Sequence, residues 1–134
     1  MGEKERRVER HRTLDASPQD VWRALTDEAL LREWLADDAE FDPVPGAELS
    51  MVVGGEERRG SVVSVEEERS LTFTWTRDGT ASSEVAFTLE PAMSGTRLTV
   101  VERAVSGGPM AMAGERWTSR LHTLELVLGA LVLA

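Results

Sequence analysis

Two periods divide this chain. Val8, Arg10, Arg12 and Leu14 share one face of an extended segment, with Glu9, His11 and Thr13 on the other. The period then becomes helical. Ser17 is placed to cap a helix, Pro18 suits its first position, and the Asp20 carboxylate favours its N-terminus. Val21, Leu25, Leu30, Leu31 and Trp34 follow at helical spacing, and Thr26-Asp27 looks like a fresh cap. The spacing predicts two short helices, over 18–25 and 28–35. The segment Asp37–Asp42 reads as a short strand or loop ending at Pro43, Pro45 and Gly46.

Alternation with a period of two returns from Glu48. Strands are expected over Glu48–Val53, Arg59–Val65, Leu71–Thr76, Val85–Leu89 and Arg97–Arg103. Gly54-Gly55, Glu66–Arg69, Asp78-Gly79 and Ser94-Gly95 supply the turns. Gly107-Gly108-Pro109 ends the sheet pattern. Trp117, Leu121, Leu124, Leu128 and Leu131 then form one stripe of a long helix. The order is strand, two short helices, about six antiparallel strands, and a C-terminal helix that covers their apolar face.

Composition narrows the chemistry. The 134 residues suit one domain large enough to bury its own core. The absence of cysteine excludes a disulfide framework, thiolate metal sites and a cysteine nucleophile, and the absence of tyrosine removes the phenol as acid or base. A net charge of −9 argues against non-specific binding to nucleic acid or anionic membranes. Residues 15–57 hold twelve acidic and two basic side chains, so the acidic surface lies there. The N-terminal stretch is charged rather than apolar, unlike a signal peptide. The apolar run Leu124–Ala134 is about half of the roughly 20 residues that span a bilayer. A cytoplasmic protein is expected.

Three groups of residues carry a resemblance. The first is Leu14-Asp15-Ala16-Ser17-Pro18 with Val21–Asp27, Leu31 and Trp34-Leu35. The second is Gly60–Val65 with Leu71–Trp75. The third is Phe87–Pro91 with Gly95–Leu98. Together they resemble START-like proteins, and more narrowly the group related to the activator of Hsp90 ATPase, also known as polyketide cyclase-like. The resemblance implies an α+β helix-grip fold for a single domain over 1–134. In it a curved antiparallel sheet of six to seven strands wraps the C-terminal helix. It also implies an apolar cavity between sheet and helix, used in the family for hydrophobic ligands. The resemblance implies no universal catalytic residues, although a few members of the family are enzymes. Where it often carries a His- or Ser-containing stretch after Val100, this chain has Val101-Glu102-Arg103-Ala104.

The expected cavity lining follows from the alternation. The sheet supplies Met51, Leu71, Phe73, Trp75, Val85, Phe87, Leu98 and Val100. The helices add Trp34, Trp117, Leu121, Leu124 and Leu128. The same residues would equally make a solid core. Arg10, Arg12 and Glu102 share strand faces with these apolar positions. With Leu14 opposite Leu98, Arg10 would lie opposite Glu102. Such a pair either orients a ligand's polar group or is a structural ion pair at the open end of the grip. His122 flanks the helical stripe without a visible catalytic partner, and His11 faces outward. Asp37, Asp38, Glu40 and Asp42 lack the pattern of a calcium loop and read as a solvated acidic surface. No catalytic residue, metal or cofactor is assigned.

The favoured function is binding of a hydrophobic or amphipathic small molecule. The alternatives are an Hsp90-cochaperone-like interaction module without a ligand and, less favoured, a cyclase-type enzyme. The apolar tail Leu126–Leu133 is either a homodimer surface or is wrapped by the sheet and the short helices.

Overall fold

The computed structural model describes residues 6–77 and 81–133. The Asp78-Gly79 turn signal lies outside the described residues. The elements in chain order are β1 (Arg7–Leu14), α1 (Pro18–Thr26), α2 (Glu28–Trp34), β2 (Asp38–Glu40), β3 (Glu48–Val53), β4 (Glu56–Glu66), β5 (Ser70–Arg77), β6 (Ala81–Ala92), β7 (Gly95–Ser106) and α3 (Ala113–Leu133). The seven strands form one curved antiparallel sheet in the order β1-β7-β6-β5-β4-β3-β2. From β2 onward each strand pairs with the next, and β1 pairs with β7.

Local chemistry fixes the helical corner. Ser17 Oγ accepts from the Asp20 amide at 3.1 Å and starts α1. Asp27 serves two helices at once. Its amide donates to the Arg23 carbonyl at 2.9 Å and ends α1. Its carboxylate accepts from Ala29 N at 2.8 Å and Leu30 N at 3.4 Å, which starts α2. Trp34 Nε1 donates to the Ala24 carbonyl at 2.9 Å and ties the end of α2 to α1.

α3 lies against the sheet's apolar face. Trp117, Leu121, Leu124 and Leu128 are buried, facing buried Phe73, Trp75, Phe87, Leu98 and Val100. β5 shows strict alternation, with Leu71, Phe73, Trp75 and Arg77 buried and their neighbours half-buried.

Three expectations are corrected. β4, β6 and β7 run further than the apolar alternation, because the backbone ladder continues past the alternating residues at the strand ends. In the β1–β7 register Arg10 lies opposite Val100, and it is Val8 that faces Glu102. Leu14 lies opposite Thr96, whose hydroxyl donates to the Ala16 carbonyl at 2.8 Å. A slip of two residues keeps every side chain on its face, so hydrophobic patterning is blind to it. Lastly, the α3 tail is not wrapped on all sides, since Leu126 is 60% and Leu131 39% exposed.

Candidate functional site

Glu102 of β7 is buried at 4% exposure. Its Oε2 accepts from Trp75 Nε1 at 2.9 Å and Ser83 Oγ at 2.5 Å, and its Oε1 accepts from Trp117 Nε1 at 2.8 Å. The donors come from β5, β6 and α3, so one carboxylate ties three elements together. Three donors on two oxygens offset much of the cost of burying the charge.

The two indoles stack, with centroids 6.2 Å apart and planes 20° from parallel. Guanidiniums lie over them. Arg58 Cζ is 4.4 Å from the Trp75 centroid, and Arg120 Cζ is 4.7 Å from that of Trp117. These are cation–π distances. Register explains Arg58, because β3 and β4 pair it with buried Met51. Helical spacing explains Arg120, one turn after Trp117. Burial pushes the Arg120 guanidinium down to about 10, and repulsion from Arg58 and Arg116 adds to it against the attraction of Glu102.

These groups enclose a cleft of about 100 Å³ between α3 and the end of the sheet. Arg58, Arg77, Arg116 and Arg120 contribute its cationic walls, and Glu102 also lines it. Pro109, Met110 and Ala111 close it from the β7–α3 connection. Arg77 is a clip for that connection. Its Nη2 donates to the carbonyls of Ser106 at 2.9 Å and Gly108 at 2.6 Å.

The sequence-selected residues divide between three places. Glu102 lines the cleft, and Trp75 and Trp117 stand behind it under the arginines. Trp34, Met51, Phe73, Phe87, Val100, Leu121 and Leu124 are buried in the hydrophobic core. Ring contacts run through that core, from Trp34–Phe87 at 6.0 Å to Phe73–Trp75 at 5.4 Å. Arg10 and Arg12 do face α3, but at the β1 edge. Arg10 Nε donates to Thr118 Oγ1 at 3.3 Å. A Cβ at Gly114 would collide with the Arg10 guanidinium, so the small residue lets that side chain cross the helix start. Arg12 pairs with Glu125 at 2.9 Å, and its Nη2 lies 3.5 Å from His122 Nδ1. The Arg12 hydrogen bond holds the Glu125 carboxyl below its ordinary value, and Glu125 in turn raises Arg12.

The acidic segment is used locally. Asp38 accepts from Arg32 Nε at 3.0 Å, and Asp37 from the Gly55 amide at 3.1 Å. Among the described residues no group of three or more His, Asp or Glu is placed to hold a metal.

Sequence reasoning missed the arginines. Arg77 continues the inward stripe Leu71, Phe73, Trp75. Arg58 follows by counting back across the Gly54-Gly55 hairpin from Met51. Both residues fall one position outside the strands expected from the apolar alternation, Arg59–Val65 and Leu71–Thr76.

A curved seven-stranded sheet gripping a C-terminal helix, with a polar cleft at its mouth, defines a START-like helix-grip protein. Within that class the chain belongs to the family of activator of Hsp90 ATPase homolog 1-like proteins, whose family model matches residues 15–129. No curated protein matches the chain. The crystal structure of protein MLL2253 from Mesorhizobium loti is similar, with 28% identity and a TM-score of 0.86 over 93% of this chain and 98% of that one. DynU16, a protein of the dynemicin biosynthetic locus, is 23% identical with a TM-score of 0.82 over 92% of this chain and 47% of its own. The Aha1 dimer from Colwellia psychrerythraea is 19% identical with a TM-score of 0.79 over 91% of this chain and 96% of its own. The last two likenesses concern the fold alone. Among the described residues no helix is long and apolar enough to cross a membrane.

Proposed function

We propose that this protein binds a small amphipathic anion at the mouth of the grip, between α3 and the end of the sheet. One observation carries the reading: Arg58, Arg116 and Arg120 converge on a cleft where Glu102 is already engaged by two indoles and a serine. Arg58 and Arg120 are crowded and desolvated, with exposed Arg116 beside them, and such guanidiniums gain from a carboxylate or phosphate that accepts their fork of donors. Arg58 and Arg120 are held by the indole faces, so little ordering is needed when the anion arrives. Trp75 and Trp117 make the site its own fluorescent reporter.

Titration with acetate, octanoate and octanol, read by tryptophan fluorescence, tests this. Octanoate should bind at least tenfold more tightly than octanol, and Arg120→Met should weaken octanoate at least tenfold. Equal binding of octanol and octanoate, or an unchanged affinity in the variant, would sink the proposal.

Family membership favours a second reading, an interaction with a chaperone of the Hsp90 type. Stimulation of Hsp90 ATPase turnover by the purified chain supports it. An unchanged turnover at saturating protein removes it.

A further inference from the structure

The cleft of about 100 Å³ is small beside small-molecule sites, which span roughly 300–1,000 Å³, and its size suits a compact group such as a carboxylate or phosphate. Two kinds of wall enclose it. Arg58, Arg77, Arg116, Arg120 and Glu102 stand on β4, β5, α3 and β7, elements fixed by ladder and helix bonds. The remaining wall is the connection 107–112, which belongs to no strand or helix.

This connection has the parts of a hinged cover. Gly107 has φ +86° at one end, and Met112 has φ +62° at the other, a left-handed backbone that methionine rarely adopts. Between them Met110 turns inward and is 5% exposed, while Met112 is 60% exposed. The cover is fastened from outside itself. Arg77 holds the carbonyls of Ser106, Gly108 and Pro109, and Arg6 Nη1 donates to the Gly107 carbonyl at 3.1 Å.

We infer that residues 107–112 form a lid latched by Arg77, and that Met110 occupies the place of the ligand's apolar body, so the protein takes an oxyanion bearing a short unbranched apolar chain. The ligand half of this inference rests on the proposed anion site; the lid half stands without it. Met110 is the residue that sets ligand size. With the lid shut the arginines admit only a compact oxyanion. With it open, the apolar space vacated by the flexible thioether chain accepts a chain of similar girth.

Methionine oxidation tests the lid without any ligand. Under mild peroxide, peptide mapping should show Met110 oxidising more slowly than exposed Met112 but at least tenfold faster than core Met51, which is 1% exposed. Arg77→Leu should speed Met110 at least fivefold and leave Met51 unchanged. A Met110 rate equal to that of Met51 in the wild type means that only global unfolding exposes it, and overturns the lid. Met110→Ala tests the plug. Octanoate should bind at least tenfold more tightly, with acetate within twofold of wild type. An unchanged ratio of octanoate to acetate affinity overturns the plug. If neither anion binds either protein, the anion site and the plug both fall, and the oxidation rates still decide the lid.

Discussion

The interior has two ends that one alternation builds for different purposes. At the closed end Trp34, Phe41, Phe73 and Phe87 meet through edge-on and tilted ring contacts, so each ring's partner there is another ring. At the open end Trp75 and Trp117 keep the same burial, but their ring faces meet guanidiniums and their N–H groups meet Glu102. β5 passes through both, from Leu71 to Arg77, without breaking its period. Burial is therefore a poor guide to role here. What separates core from site is whether a buried ring meets charged side chains: Trp34 donates to a backbone carbonyl, whereas Trp75 and Trp117 meet a carboxylate and guanidiniums.

Substitutions should pull the two ends apart. Phe73→Ala removes a ring from the closed end and should cost about 3–5 kcal/mol in urea unfolding, with octanoate affinity retained in the folded fraction. Glu102→Ala leaves the Trp117 indole N–H and the buried Ser83 hydroxyl without their acceptor, while Trp75 Nε1 keeps Ser83 Oγ at 3.0 Å. It should cost about 3 kcal/mol, and Glu102→Gln should recover part of that because it keeps one acceptor oxygen. If Glu102→Ala were as stable as wild type, the carboxylate would not be the tie between β5, β6 and α3. Arg120→Met should show the reverse of Phe73→Ala, with stability within about 1 kcal/mol of wild type and anion affinity reduced at least tenfold.

Smaller effects belong to the periphery. Glu125 sits below the ordinary glutamate value of 4.5, chiefly through its hydrogen bond from Arg12. A depressed carboxyl stabilises the fold above its unfolded value, and that stability fades as pH falls through the folded value. Melting curves between about pH 6 and pH 3 should therefore fall less steeply for Glu125→Gln than for wild type. Both groups of this pair are largely solvated, so the difference will be slight. Leu126→Glu should change stability least, within about 0.5 kcal/mol. Sedimentation would then show whether the exposed α3 face associates, since a dimer through it would dissociate in this variant.

How much was legible follows from these same residues. Periodicity locates the helices and every strand but the three-residue β2, which is too short to show a period, and Ser17 and Asp27 announce the helical corner. It also placed Glu102 inside. It missed Arg58 and Arg77 because a charged residue on an inward stripe looks like the end of the stripe. It paired Arg10 with Glu102 because a two-residue slip leaves the pattern intact, and the bond from Thr96 to Ala16, which sets the register, links positions far apart in sequence. Which buried aromatics would serve the core and which the cleft depends on cross-strand neighbours, and those neighbours appear only once register is fixed.

The pairing of β1 with β7 has a consequence for how the chain is made. The first strand of this sheet to be synthesised finds its neighbour in the last, Gly95–Ser106. At roughly 5–20 residues per second, β1 waits on the order of 5–20 s for that partner to emerge. Meanwhile it is an unpaired extended segment, the kind of edge on which nascent chains stick to one another. Its sequence, RVERHRTL, puts a charged or imidazole side chain at five of eight positions. Those charges guard the strand during the delay, and two of them, Arg10 and Arg12, become anchors to α3 once the sheet closes. Neutralising the strand should therefore harm yield from a translating ribosome more than it harms the stability of the finished fold.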